Sequence, residues 1–172
     1  QLARDGGVPV VVDPKGADWA KYAGATVITP NWAEAQAATA PFGVAPAPEG
    51  DLPTAKLMAQ AVSSRFNIAH AVVTMGGKGA MWFDGTAAHG AGSFHHVFAR
   101  ERRVFDVTGA GDTFVGVLAA ALFRETPMAE AVVRANAAAG LAVDRPGTVT
   151  VPDVDIDQEL GWAARGSAKV KA

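Results

Sequence analysis

The chain has 172 residues, of which 49% are hydrophobic and 19% are charged, and this balance is typical of a globular domain rather than a disordered chain. Its net charge of −2 gives no electrostatic reason to expect a nucleic acid or a membrane surface as a partner, and no apolar run approaches the ~20 residues that cross a bilayer. Because the chain has no cysteine, disulfides and thiolate metal sites are excluded.

Short apolar runs alternate with helical patterns in the first half of the chain. Continuous apolar runs bounded by turn residues are typical of strands buried in a parallel sheet. They predict three strands: Val8–Asp13, Ala25–Asn31 and Ala69–Met75. Helical segments are predicted between them: a short one with Trp19 and Tyr22, then Trp32–Thr39 and Thr54–Phe66. The proline-rich stretch 40–53 reads as a surface loop.

The second half of the chain begins with turn-separated strands and continues with helices. The predicted strands are Ala80–Asp84, a further one that ends near Phe98, and Val104–Val107. The predicted helices are Asp112–Phe123, one from Pro127 to about Val143, and a terminal one in the polar tail after Asp153. Strands alternating with helices predict an α/β class with a mostly parallel sheet, and we expect one domain over residues 1–172.

Residues 104–116 read VFDVTGAGDTFVG, in which three small residues precede an aspartate at the predicted start of a helix. A helix N-terminus has unpaired N–H groups and about half a positive charge, so the backbone of Gly109, Ala110 and Gly111 could hold a phosphoryl group. A carboxylate does not bind phosphate, and Asp112 is therefore interpreted as a base that takes the proton of an attacking hydroxyl. The alternative is that the glycines form a tight turn and that Asp112 complements the helix dipole.

The string D-x-T-G-A-G-D at residues 106–112 resembles the C-terminal signature of the ribokinase (PfkB) family of sugar kinases. Three further features follow the order of that family: N-x-x-E at 31–34, TMGGKG at 74–79 and ANAAAGLAVDRPGT at 135–148. The resemblance covers about Val8 to Pro152. It implies a ribokinase-like three-layer α/β/α fold with a mostly parallel central sheet, and transfer of the ATP γ-phosphoryl group to a sugar hydroxyl with Mg²⁺.

The resemblance also implies roles for single residues beyond the catalytic Asp112, Gly109, Ala110 and Gly111. Nucleotide contacts are implied for Asn31, Glu34, Thr74, Gly76, Gly79, Asn136 and Gly147. Glu34 would also hold Mg²⁺, directly or through water, because hard carboxylate oxygens suit that ion. Asp106 would help to hold a monovalent cation such as K⁺ with carbonyl groups of residues 145–147. The structural alternatives are that Asp106 only caps the turn, that Glu34 and Asn136 are solvated helix residues, and that 74–79 is an ordinary turn.

A narrower resemblance concerns the segment VVDPKGADWAKYAGATVITPNWAE at residues 11–34. It is similar to kinases of D-glycero-β-D-manno-heptose 7-phosphate, in which D-P-K-G and Y-x-G-A-T-x-x-T-P-N recur together. This implies phosphorylation of O1 of that sugar for ADP-heptose and lipopolysaccharide core synthesis. Ala35 and residues 75–78 depart from the subgroup pattern. Lys15 follows the first predicted strand and could hold an anion such as the sugar phosphate.

Two other functions stay open: a kinase for another sugar or a nucleoside, and a nucleotide-binding fragment without catalysis. The chain has neither a Walker-type G-x-x-x-x-G-K-[ST] motif nor G-x-G-x-x-G, which argues against a P-loop kinase and a nicotinamide dehydrogenase. No H-x-G-H motif of a fused nucleotidyltransferase occurs. We expect the sugar-binding N-terminal part of the kinase to be absent from this sequence, and we expect a cytoplasmic homodimer. The four histidines are assigned no chemistry.

Overall fold

A computed structural model describes residues 2–86, 92–102 and 105–165. These residues divide into two compact units, one up to residue 96 and the other from residue 97 onward. The single domain predicted over residues 1–172 stays a prediction. No helix in the described part of the chain is both long enough and apolar enough to cross a membrane.

The first unit is built on one five-stranded sheet with the strand order β1-β2-β3-β4-β5. Its strands are β1 (Val11–Val12), β2 (Val27–Ile28), β3 (His70–Thr74), β4 (Ala80–Asp84) and β5 (Ser93–Val97). Strands β1, β2 and β3 are parallel, and β4 pairs antiparallel with β3, with His70 opposite Asp84 and Val72 opposite Trp82. Two of these three described pairings are parallel, as the sequence pattern predicts.

Strands β1 and β2 are shorter than the apolar runs that predict them. Pro9 and Pro14 border β1, and Pro30 follows β2. Proline has no N–H group to donate to a ladder, so regular pairing stops near each of these residues. Asn31 still forms an isolated parallel bridge with Thr74, which keeps the ends of β2 and β3 side by side.

Helices cover the sheet of the first unit and bury its core. The covering helices are α2 (Trp32–Thr39) and α3 (Leu52–Phe66). The unit also contains the short helix α1 (Leu2–Asp5) and 3₁₀ turns at Ala20–Tyr22, Ala40–Phe42 and Gly76–Lys78. Helices α2 and α3 pack on each other and on β3. Ala71 and Val73 of β3 face this core, since alternate residues of a strand point to the same side. Buried partners include Ala35 of α2 and Met58 and Val62 of α3.

In its described residues, the second unit contains three helices: α4 (Ala110–Phe123), α5 (Met128–Val143) and α6 (Asp153–Arg165). Helix α4 packs along α5, and α5 contacts α6. The buried residues of α5 are mostly alanines, and small side chains allow helix axes to lie close together. Arg102 joins these elements through an ion pair with Asp144 and another, 2.6 Å long, with Glu159 of α6.

The predicted strand Val104–Val107 is wrong over its described residues. Val104 lies outside the described residues, and Phe105–Val107 form no strand. The amide of Phe105 instead donates to the carbonyl oxygen of Val143 at 2.8 Å, because the last carbonyl groups of a helix have no intrahelical donor. The side chains of Phe105 and Val107 are exposed, so no buried face holds this segment in a sheet.

Candidate active site

The residues singled out by sequence fall into two groups, one in each unit. The second unit contains the glycine turn at the start of α4, Asp106, Asn136 and Gly147. The first unit contains Lys15, Asn31 and Glu34, together with the turn after β3. Within each unit, the geometry shows which of these side chains are already held by other residues.

Gly109 is the N-cap residue of α4 and has the left-handed backbone angles φ 79° and ψ 0°. Its carbonyl group accepts the first helical hydrogen bond, from the amide of Thr113 at 2.9 Å. A Cβ atom at Gly109 would lie 3.2 Å from Cγ2 of Thr148. Glycine is thus required here by conformation and by the close approach of Thr148.

Gly111 lies in the first turn of α4, and a Cβ atom built on it meets no atom within 4 Å among the described residues, apart from its chain neighbours and the backbone of its own helix. The amide of Ala110 donates to the carbonyl oxygen of Val107 at 3.2 Å, so one of the three predicted donors is engaged. Within the described residues, the amides of Gly109 and Gly111 donate to no protein acceptor. These two amides remain available for an anionic oxygen.

Asp112 lies in the first turn of α4, and its side chain is exposed. In the part of the chain that the structure describes, its carboxylate forms no ion pair and accepts no hydrogen bond. It is neither packed into the core nor neutralised by a cation of its own unit. The arrangement places an available carboxylate beside available N–H donors, as transfer of a phosphoryl group to an alcohol requires.

Asp106 connects the glycine turn to the loop after α5. Its Oδ1 atom accepts from the amide of Thr108 at 2.9 Å, and its Oδ2 atom accepts from the amide of Gly147 at 3.2 Å. Hydrogen bonds from Thr108, supported by Gly147, hold the pKa of the Asp106 carboxyl below its ordinary value. The turn-capping alternative is thus realised, and the role of Asp106 at a monovalent cation stays a prediction.

Asn136 is held by a backbone group of its own unit. Its side-chain amide donates to the carbonyl oxygen of Phe98 at 3.0 Å. This bond orients the side chain and uses one of its two N–H donors. The nucleotide contact expected of Asn136 stays a prediction.

Asn31 and Glu34 form a capping box at the start of α2. The Oδ1 atom of Asn31 accepts from the amide of Glu34, and the Oε2 atom of Glu34 accepts from the amide of Asn31, both at 2.9 Å. Such a box satisfies two helix donors reciprocally. The N-x-x-E spacing therefore has a structural function, and only the Oε1 atom of Glu34 points away from the cap.

That Oε1 atom is paired with Lys15. The Nζ atom of Lys15 lies 2.9 Å from Oε1 of Glu34 and 3.1 Å from Oδ2 of Asp13. The hydrogen bond to Glu34, supported by Asp13, holds the pKa of the Lys15 ammonium above its ordinary value despite partial burial. Sequence reasoning missed Asp13, although its position two residues before Lys15 at the end of β1 was a usable signal.

The hydroxyl group of Tyr22 fixes the backbone of Lys15. It accepts from the amide of Lys15 at 3.1 Å and lies 3.2 Å from the carbonyl oxygen of Lys15, to which it donates. This contact gives a physical reason for the joint occurrence of D-P-K-G and the tyrosine segment. It joins residues seven positions apart, and no spacing rule predicts such a contact.

The turn after β3 requires its glycines. Gly76 and Gly79 have positive φ angles of 50° and 89°, and the amide of Met75 donates to the carbonyl oxygen of Gly79 at 2.7 Å. A Cβ atom at Gly76 would lie 3.3 Å from a carboxylate oxygen of Glu49. Thr74 ends β3 beside Asn31, so the predicted site residues of this unit meet at the carboxyl edge of the parallel strands, where ligands of open α/β sheets bind.

Residues 1–154 match the family model described as "pfkB family carbohydrate kinase". The chain belongs to the pfkB family of carbohydrate kinases. It is 40% identical over 161 residues to the bifunctional protein HldE of Halorhodospira halophila. This aligned region covers 94% of this chain and 31% of that protein. The chain therefore spans about a third of the length of this curated relative.

Two solved structures show the fold. Phosphofructokinase-2 from Escherichia coli, in complex with potassium, is similar with a TM-score of 0.76 and 20% identity over 95% of this chain and 50% of that one. The ribokinase of Arabidopsis thaliana, complexed with ribose and ATP, has a TM-score of 0.73 and 23% identity over 91% of this chain and 48% of that one. These similarities confirm the predicted ribokinase-like α/β fold.

Proposed function

We propose that the protein is an ATP-dependent carbohydrate kinase that transfers the γ-phosphoryl group to a sugar hydroxyl. The observation that carries this proposal is the exposed and unpaired carboxylate of Asp112, next to the available amides of Gly109 and Gly111. Membership in the pfkB family supports the same reaction class.

In the proposed reaction, the acceptor hydroxyl attacks the γ-phosphorus atom and ADP leaves with the electrons of the broken P–O bond. Asp112 takes the hydroxyl proton as the new bond forms, a contribution of ~10²–10⁴ in rate for a positioned base. The amides of Gly109 and Gly111 stabilise the charge on the transferred oxygens, each by a factor of ~10²–10³ in comparable oxyanion sites. The catalysis is thus positioning and electrostatics.

Two cations belong to this proposal. The carboxylate oxygens of Glu34 and Asp13 are hard donors at the edge of the sheet, and such donors fit Mg²⁺. Mg²⁺ would neutralise charge on the nucleotide phosphates, with Glu34 as its protein contact, directly or through water. Asp106 and the 145–147 loop would form the site of a monovalent cation. The dependence of the rate on K⁺ tests that second assignment.

The acceptor that we propose is D-glycero-β-D-manno-heptose 7-phosphate, with O1 as the attacking oxygen. The similarity of residues 11–34 to heptose 7-phosphate kinases supports it, and so does the 40% identity to HldE. The product would then serve ADP-heptose synthesis. The homodimer stays a prediction, which sedimentation velocity tests. The cytoplasmic location also stays a prediction, which cell fractionation tests.

The test is an acceptor panel with Mg²⁺ and ATP, in which ADP release is measured for the heptose 7-phosphate, fructose 6-phosphate, ribose and adenosine. The 172-residue chain and the full product of its gene are assayed in parallel. We expect the heptose 7-phosphate to give the highest kcat/KM, and ³¹P NMR to place the new phosphate on O1. A higher kcat/KM for another acceptor would refute the substrate. Calorimetric ATP binding by both proteins without turnover on any acceptor would instead support the non-catalytic alternative.

A further inference from the structure

The ammonium group of Lys15 lies between two carboxylates that face the carboxyl edge of the sheet. Its Nζ atom is 2.9 Å from Glu34 and 3.1 Å from Asp13. One Glu34 oxygen is engaged in the α2 cap, and Lys15 is paired with the other, Oε1. A cation is therefore already present where the proposed function requires another one.

We propose that Lys15 is a tethered cation that competes with the divalent metal ion for Oε1 of Glu34. This inference rests on the proposed function, because it concerns the metal contact assigned to Glu34 there. Lys15 then acts on the metal ion through Glu34 and is a positioning residue rather than a catalytic one. The sequence-based alternative, direct binding of the sugar phosphate by Lys15, is tested by the same variants.

Fold stability does not account for the lysine. Its side chain is 68% exposed, and exposed ion pairs contribute little to folding. The loop is held independently of this side chain, since the Tyr22 hydroxyl accepts from the amide of Lys15 and donates to its carbonyl oxygen. The capping box holds Glu34 in the same way. Loss of the ammonium group therefore removes a charge while leaving the carboxylates in place.

The charges predict the direction of the effect. Asp13, Lys15 and Glu34 together carry a net charge of −1, and without the ammonium group the two carboxylates carry −2. A divalent ion at Glu34 is repelled by the ammonium group and competes with it for the same oxygen. Lys15 should thus keep metal binding weak in the absence of nucleotide phosphates, which bring additional negative charge to the site.

The experiment measures Mn²⁺ binding to the protein without nucleotide, by the loss of the free-ion EPR signal. Lys15→Met should bind Mn²⁺ about tenfold more tightly than the wild type, a factor that corresponds to about 1.4 kcal/mol. Lys15→Arg keeps a cation at this position and should bind as the wild type does. Lys21→Met is the matched control, because Lys21 also lies near this loop, with its Nζ atom 3.4 Å from the backbone oxygen of Lys15, and its removal deletes the same charge.

Adding Glu34→Gln to Lys15→Met should abolish the gain, which assigns the effect to this carboxylate. Equal Mn²⁺ affinity of Lys15→Met and the wild type, including no detectable binding by either, overturns the proposal. So does an equal gain in Lys21→Met. A rise in the KM for the sugar phosphate without tighter Mn²⁺ binding would identify Lys15 as a substrate contact instead. Since the titration involves no turnover, failure of the kinase assay and failure of this inference remain distinguishable.

Discussion

The two glycines at the start of α4, Gly109 and Gly111, differ in whether the fold requires glycine at that position, and the sequence does not reveal this difference. Gly109 has a positive φ angle and lies against Thr148, so it is required by the fold. Among the described residues outside its own helix backbone and chain neighbours, no atom would meet a Cβ atom at Gly111, so packing does not explain this glycine. The sequence predicts that something approaches this turn. It cannot separate the two glycines, because Thr148 is 39 positions away from Gly109 in the chain.

An alanine substitution at Gly111 tests whether a bound phosphate requires this glycine. Gly111→Ala should stabilise the fold by up to about 1 kcal/mol, because alanine has the higher helix propensity. If a phosphoryl group binds at this turn, as proposed, the added Cβ atom should also hinder its approach and reduce kcat/KM for ATP. Gly116→Ala in the same helix, where a Cβ atom also meets open space, is the matched control and should stabilise without loss of activity. Urea denaturation and steady-state assays measure both effects. Equal activity of the two variants would exclude a phosphate site at Gly111.

Gly140 is a comparable case within α5. A Cβ atom on it would lie 3.1 Å from Nε of Arg102, and Arg102 is paired with Asp144 and Glu159. The ANAAAG string is therefore explained in part by packing of an arginine, whatever the nucleotide contacts of the helix are. The contact between Arg102 and Gly140 could not be predicted from the sequence, because the two residues are 38 positions apart.

At the scale of elements, local signals predict the helices better than the strands. Helix α2 begins and ends at the predicted residues, because the capping box that starts it is written in the sequence at Asn31 and Glu34. Helix α5 begins at Met128, one residue after the predicted start, with Pro127 as its N-cap residue, and it ends at the predicted Val143. Strands β1 and β2 are shorter than expected because the prolines beside them, which are visible in the sequence, cannot donate to the ladder. The segment at Phe105–Val107 failed as a strand because its backbone pairs with the end of α5.

Strands β3, β4 and β5 carry an aromatic cluster with two histidines. The ring of His95 stacks on Trp82 with centroids 4.4 Å apart, and Nε1 of Trp82 donates to Nδ1 of His70 at 3.4 Å. Nδ1 of His70 also lies 3.3 Å from Asp84, its cross-strand neighbour. Burial lowers the pKa of His70, and Asp84 only partly offsets this effect. The folded state therefore favours neutral His70.

This cluster predicts how stability depends on pH. The unfolded chain binds a proton at His70 near its ordinary pKa of 6.5, whereas the folded state binds it only at lower pH. As pH falls below 6.5, the unfolded state binds more protons at His70 than the folded state does. The free energy of unfolding therefore decreases until the pH reaches the lower pKa of the folded state. In urea denaturation between about pH 7.5 and about pH 5, the wild type should lose more stability than His70→Gln. Parallel profiles would show that His70 does not contribute.

At the scale of the whole molecule, each unit carries its own set of residues singled out by sequence. The first unit contains Asp13, Lys15 and Glu34 at the edge of its sheet, and the second contains Asp112 in the first turn of α4. The sequence predicted the α/β class and the family through short motifs. Several motif residues also stabilise the fold: Asn31 and Glu34 form the capping box, and Asp106 accepts hydrogen bonds from Thr108 and Gly147. Motif matching alone cannot separate this structural role from a role in catalysis or binding.

The most direct test of the central claim is the turnover of Asp112→Asn with saturating ATP and heptose 7-phosphate. We predict that kcat falls by ~10²–10⁴, while ATP affinity stays within a few fold and stability within about 1 kcal/mol, as expected for a lost charge at a helix N-terminus. Glu130→Gln removes an exposed carboxylate from the first turn of α5 and should keep full activity. If Asp112→Asn turns over as fast as Glu130→Gln, Asp112 only complements its helix dipole and is not the base.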